Sequence, residues 1–189
     1  MSVAEACARC GLVVFDLDEC LICGADTELD RPADFRVGPY HIYRRTYLDK
    51  FPAAVTEWYE VAVWSSATSD YVGEISAEIL PSDVEWVFVW ARDRCTPRMQ
   101  PESRETVYLK DLKKVKRLGY SLDRVLIVDD TPDKLARNYG NAIYVTPFVG
   151  AVEDDELRTL LSYLVSIRNE PDFRRVDKRR WKSHTAGRK

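Results

Sequence analysis

Asp16 and Asp18 lie one residue apart at the end of the apolar run Leu12-Val13-Val14-Phe15. A run of that kind reads as a strand buried on both faces in the middle of a parallel sheet. On an extended backbone, residues i and i+2 point the same way, so this strand delivers both carboxylates to its carboxyl end. At ~4 Å and an effective dielectric of ~20, two such charges repel by roughly 4 kcal/mol. A metal ion, a lysine or a proton must offset that repulsion. Asp is also common in solvated turns after strands, so the rest of the chain has to decide between chemistry and a turn.

Two further apolar runs end the same way. Val61-Ala62-Val63-Trp64 leads into Ser65 and Ser66, and Val125-Leu126-Ile127-Val128 leads into Asp129 and Asp130. Lys110 sits at the expected start of the helix before the last of these strands. Singly, each group has a plain role: a capping hydroxyl, a turn-forming acid, a surface lysine. Together, in order and at strand ends, they describe the place where an open parallel sheet binds ligands.

The elements that must position these groups alternate along the chain. Strands are expected at 12–15, 40–44, 60–65, 84–90, 124–128 and 142–145. Helices are expected at 46–59, 70–80, 108–118 and 154–167, with a short one opening at Pro132. Pro32, Gly38 and Pro39 make 25–38 read as irregular, and two prolines make 91–107 read as a loop or small insert. Alternating strands and helices imply an α/β fold with a parallel sheet.

The chain has 189 residues, 46% of them hydrophobic and 31% charged, which suits a single globular domain. The net charge of −3 makes no global case for a nucleic-acid binder. From Pro171 onward, however, eight basic residues face only Asp172 and Asp177. We therefore expect a domain over 1–170 and a basic, solvated tail over 171–189. No apolar run approaches the ~18 residues of a membrane span, and no secretory signal is visible. The cytosol is the expected compartment.

Cys7, Cys10, Cys20 and Cys23 form two pairs with zinc-knuckle spacing. The run from Leu12 to Glu19 that separates them contains no Gly, Pro or Asn to reverse it, and extended it would hold the pairs roughly 30 Å apart. One shared zinc ion is therefore not expected.

The ordered motifs resemble those of the haloacid dehalogenase superfamily. Phe15-Asp16-Leu17-Asp18-Glu19 is similar to its first motif, Asp-x-Asp-x-(Thr or Val), with Cys20 where Thr is usual. Trp64-Ser65-Ser66, Tyr108-Leu109-Lys110-Asp111-Leu112 and Leu126-Ile127-Val128-Asp129-Asp130-Thr131-Pro132 are similar to the other three. The last two, with Arg45-Thr46-Tyr47-Leu48-Asp49-Lys50-Phe51, resemble the small RNA polymerase II carboxyl-terminal-domain phosphatases, also called NLI-interacting-factor-like. The resemblance implies a doubly wound, three-layer Rossmann-like sandwich on a central five-stranded parallel sheet, without a large cap domain. It also implies Mg²⁺ as cofactor, held by Asp16, the carbonyl of Asp18, Asp129 and Asp130. In that scheme Asp16 attacks phosphorus, Asp18 is the general acid and base, Ser65 binds a phosphate oxygen, and Lys110 offsets the charge.

Spacing bears on the substrate. Cys20 and Ser65 are separated by 44 residues, as are Ser65 and Lys110. Neither gap has room for a lid beyond its own strand and helix. An open site suits a phosphate carried on a macromolecule. By resemblance this is phosphoserine or phosphothreonine in a protein. Ser66, Arg92 and Arg94 are candidate substrate contacts. A polynucleotide end is the alternative, drawing on Arg92, Arg94, Arg98 and the basic tail. A non-catalytic phosphate-binding module with the same fold is the other.

Overall fold

The computed structural model describes residues 11–100, 104–138 and 140–184. Its centre is a five-stranded, wholly parallel sheet of β1 (Leu12–Phe15), β5 (Glu60–Trp64), β6 (Trp86–Trp90), β9 (Val125–Asp129) and β10 (Ala142–Tyr144). The spatial order is β10-β9-β1-β5-β6. From β1 the chain builds outward through β5 to β6, then returns to the other side of β1 for β9 and β10. The reversal falls between β1 and β9, and there the carboxyl ends of the strands open a crevice.

Burial on both faces explains the near-continuous apolar strands. Val13, Phe15, Val61, Val63, Leu126 and Val128 pack on one side. There they meet α1 (Phe51–Thr56), α2 (Ser69–Ile79) and α4 (Glu156–Ile167). Leu12, Val14, Ala62, Trp64, Val125 and Ile127 pack on the other, against Val115 of α3 (Lys113–Lys116), Leu112 and Leu135. The result is the three-layer α/β sandwich expected. Among the described residues no helix is long and apolar enough to cross a membrane.

Several local expectations give way. Residues 22–44 form a small antiparallel sheet of β2 (Ile22–Ala25), β3 (Phe35–Val37) and β4 (Tyr40–Arg44), in the order β2-β4-β3. The gap after Cys20 therefore carries more than a strand and a helix, although what it carries is far smaller than a cap domain. Gly38 and Pro39 are the two-residue turn between β3 and β4, with Gly38 at φ +54. The helix expected over 46–59 is only Phe51–Thr56, and Tyr47, at φ +76, cannot belong to it.

Most of the insert at 91–107 and the first residues of the helix expected over 108–118 form a hairpin, and that helix is confined to Lys113–Lys116. β7 (Thr96–Met99) pairs antiparallel with β8 (Thr106–Leu109). Thr106, Val107 and Tyr108 are β-branched or aromatic, and pairing satisfies that preference. Lys110 thus leaves the end of a strand, not the start of a helix.

The basic segment after Pro171 is not simply solvated. Phe173 and Trp181 are buried, and the Trp181 indole donates to the Tyr144 carbonyl at 2.8 Å. Gly11, at φ +146, lies so close beneath Phe173 that a Cβ there would collide with the Arg124 carbonyl.

Candidate active site

Asp16 closes β1 and Asp129 closes β9, so the sheet register brings the two carboxylates to the switch point. The Asp16 amide donates to the Val128 carbonyl at 2.9 Å, which extends the β1–β9 pairing to Asp16 itself. Both side chains are buried. Lys110, wholly buried, reaches between them: its Nζ lies 2.8 Å from Asp16 Oδ1 and 2.6 Å from Asp129 Oδ2. Its backbone is equally fixed. The Lys110 amide donates to the Lys134 carbonyl at 2.9 Å, and the Asn138 amide group donates to the Lys110 carbonyl.

Lys134 is a second ammonium at the same place, and no expectation included it. It sits in the 3₁₀ turn Pro132–Leu135, with Nζ 3.0 Å from Asp16 Oδ2, 3.7 Å from Asp129 Oδ1 and 3.6 Å from Asp130 Oδ1. The signal available was its spacing of four residues from Asp130, an acid-to-lysine pair on one helical face. Burial alone would raise the Asp16 carboxyl, but Lys110 and Lys134 outweigh it and hold the group below the usual carboxylate range. Asp129 goes the other way: burial, then the Asp16 charge, pushes it up to about 7 despite Lys110. Lys110 stays charged because Asp129 and Asp16 outweigh its desolvation.

Asp18 points the other way, toward an open cleft of about 270 Å³ lined with Gly24, Tyr40, Ala67, Thr68, Tyr71 and Arg92. Its Oδ1 accepts a 2.7 Å hydrogen bond from the Tyr71 hydroxyl, a partner that sequence reasoning missed. Burial raises the Asp18 carboxyl above its ordinary value, and Tyr71 only partly opposes this. A carboxyl that keeps its proton longer is suited to giving it away.

Ser65 is buried at the end of β5, where its Oγ accepts from the Ala67 amide at 3.0 Å and its own amide donates to Trp90. Arg92 reaches the cleft, its Nε donating to the Ser66 carbonyl at 2.7 Å while its guanidinium covers the Tyr108 ring. Arg94 does not line the cleft: it lies over Trp90 and pairs with Asp93. Arg98 is exposed on β7.

The turn after Asp18 accounts for Cys20. The Cys20, Leu21 and Ile22 amides all converge on the Leu17 carbonyl, with Glu19 at φ +59. The chain therefore does reverse after Leu17 and does not run on extended toward Cys20. Cys20 is buried in the core, and its thiol is pushed well up by burial and then by Asp16. It behaves as a small apolar filler. Cys7 and Cys10 lie outside the described residues, so the pairing of knuckles is not visible.

The residues fit a hard divalent cation. One oxygen each from Asp16, Asp129 and Asp130 lie within 4.8 Å of one another. Asp130 Oδ1 is buried without a hydrogen-bond partner, the mark of a group awaiting a ligand. Asp18 contributes no side-chain oxygen to this group.

The model of NLI interacting factor-like phosphatases matches residues 11–174, which takes in every strand of the sheet and all four motifs. The chain belongs to that family. A similar relative is Nuclear envelope morphology protein 1 of Saccharomyces cerevisiae, 28% identical over 148 residues, or 72% of this chain and 31% of that protein. Human Carboxy-terminal domain RNA polymerase II polypeptide A small phosphatase 1 is 28% identical over 170 residues, 85% of this chain and 60% of that one. The chain thus spans less than two thirds of either relative. Among solved structures, Fcp1, described as an essential RNA polymerase II CTD phosphatase, aligns with a TM-score of 0.58 at 18% identity. That alignment covers 96% of this chain and 62% of that one. It establishes for this NLI interacting factor-like chain the haloacid dehalogenase-type fold that the motifs led us to expect.

Proposed function

We propose that this chain is a Mg²⁺-dependent phosphomonoesterase that works through an aspartyl-phosphate on Asp16 and acts on phosphoserine or phosphothreonine in a protein. The observation that carries the reading is the division of labour between Asp16 and Asp18. Asp16 is an ionised carboxylate clamped by ammoniums at the switch point, whereas Asp18 is a carboxyl with a raised pKa facing an open cleft. Pairs of acids whose environments push their pKa values apart are acid and nucleophile candidates.

In the first step an Asp16 oxygen attacks phosphorus, and the bond from phosphorus to the serine or threonine oxygen breaks. The departing alkoxide takes the Asp18 proton. In the second step the Asp18 carboxylate removes a proton from water. The resulting hydroxide attacks phosphorus, releasing inorganic phosphate and restoring Asp16. Lys110 holds Asp16 in place and spreads positive charge over the transferring group. Asp16, Asp129 and Asp130 would hold the Mg²⁺, which supplies Lewis-acid stabilisation of the phosphoryl oxygens when bound. Ser65 and Arg92 border the phosphate position from the β5 side.

A phosphoprotein substrate is supported by the open cleft and by the human relative, whose name refers to a protein domain. The test is a panel of phosphopeptides and of 5′- and 3′-phosphorylated oligonucleotides, assayed with Mg²⁺ and with chelator. Phosphopeptide turnover should require the metal and fall by at least about 10³-fold in Asp16→Asn, as for loss of a covalent nucleophile. Robust turnover by that variant overturns the aspartyl mechanism. Preference for oligonucleotide ends overturns the substrate class.

A further inference from the structure

Lys134 is seated where a cation bound to these acids would have to sit. Each of the three carboxylates has one oxygen committed elsewhere. Asp16 Oδ1 is held by Lys110 and by the Leu17 amide at 2.8 Å, Asp129 Oδ2 by Lys110, and Asp130 Oδ2 by the Thr131 hydroxyl at 2.8 Å. The Lys134 ammonium lies 3.0–3.7 Å from the remaining oxygens, Asp16 Oδ2, Asp129 Oδ1 and Asp130 Oδ1, of which Asp129 Oδ1 also accepts from the Thr131 amide at 2.9 Å. Only the Asp16 contact has hydrogen-bond geometry, and Asp130 Oδ1 is left without a hydrogen bond at all. One ammonium therefore spans three acceptors and satisfies them incompletely, as a monovalent stand-in for a divalent ion would.

The two lysines also differ in freedom. The Lys110 side chain is wholly buried, whereas Lys134 is 20% exposed on an outer turn and has a path to solvent. Lys134 can leave without opening the core. A bound divalent cation and an ammonium at this distance would repel one another strongly in so dry a site, so both cannot hold the same three oxygens.

We propose that Lys134 is a built-in competitor for the divalent cation. Its ammonium neutralises Asp16, Asp129 and Asp130 in the metal-free protein and swings out to solvent when the metal binds, so that it lowers the protein's affinity for Mg²⁺. This rests on the metal reading above. In that role Lys134 is a positioning residue, and it sets the Mg²⁺ concentration at which the protein becomes loaded.

Two measurements on the full chain test this. Calorimetric titration with Mg²⁺ should give a Kd for Lys134→Met that is roughly tenfold to hundredfold lower than for wild type. That is the factor one charge-assisted hydrogen bond is worth. In wild type, reductive methylation of Lys134, followed by mass spectrometry, should accelerate as Mg²⁺ is added, with the midpoint of the calorimetric titration. A purely structural lysine would move neither readout in this direction. Equal or weaker Mg²⁺ binding by Lys134→Met, or labelling of Lys134 that Mg²⁺ leaves unchanged, overturns the competition while leaving the metal site standing. Failure of both proteins to bind Mg²⁺ overturns the metal reading and the competition together.

Discussion

The floor and the rim of the crevice are built on different terms. The floor consists of Asp16, Asp129 and Lys110, each at most 1% exposed, each at a strand end, and each tied by a backbone hydrogen bond to a neighbouring element. The rim consists of Tyr40, Tyr71 and Arg92, which are drawn from a small side sheet, a helix and a 3₁₀ turn, and are partly open to solvent. On the floor, charges are out of water and cannot relax, so removing one leaves another unpaired. On the rim, water replaces whatever is lost. The floor should therefore govern chemistry and stability together, and the rim should govern binding alone.

Lys110→Met is the hardest test of that division. It strands Asp16 and Asp129 with only Lys134 to answer them, and breaking a buried pair costs about 3–5 kcal/mol. We expect a Tm drop in chelator that Mg²⁺ partly restores, and kcat lowered by at least about 10²-fold. A variant as stable as wild type would mean that the floor is wetter than its burial indicates.

Arg92→Ala acts at the rim and should raise KM for a phosphopeptide about tenfold, in line with one charge-assisted contact, with kcat and Tm nearly unchanged. A fall in kcat without a change in KM would move Arg92 to the floor. The smallest effect is expected from Asp18→Asn on stability. Because burial raises the folded-state pKa of Asp18, its contribution to stability is full below the unfolded value near 4 and is lost as pH rises through the folded value. The Asn variant lacks that loss. In chelator its Tm should fall less than that of wild type between pH 4 and 7, although its turnover is gone. Parallel Tm curves would contradict the raised pKa.

The same division explains what could be read from the chain. Floor residues follow apolar runs, and a buried parallel strand leaves a plain signature, so Asp16, Ser65 and Asp129 could be placed at strand ends from sequence, although Lys134, which pairs with both acids, could not. Lys110 was legible as a residue but not as the end of β8, because Leu109, Leu112 and Val115 mimic a helical stripe. The rim was harder. Tyr71 reaches Asp18 from a helix 53 residues away, and nothing in local sequence marks that hydroxyl. Gly38-Pro39 read as part of an irregular stretch and not as a hairpin turn, because β3 is only three residues long, too short to show alternation. Phe173 and Trp181 were hidden among basic residues whose charge suggested solvent.

Arg45 bears on how the site comes into being. Its wholly buried guanidinium donates to the Cys20 carbonyl at 3.0 Å, to the Thr146 carbonyl at 2.9 Å, and to both oxygens of Asp154, which lies 109 residues further along the chain. The loop that carries Asp18 is thus clamped by residues the ribosome delivers more than a hundred positions later. Long-range contacts of this kind are formed late, after their loop-closure entropy has been met. A nascent chain that has already exposed its acids has no clamp for them, so the crevice matures only as the last helix docks.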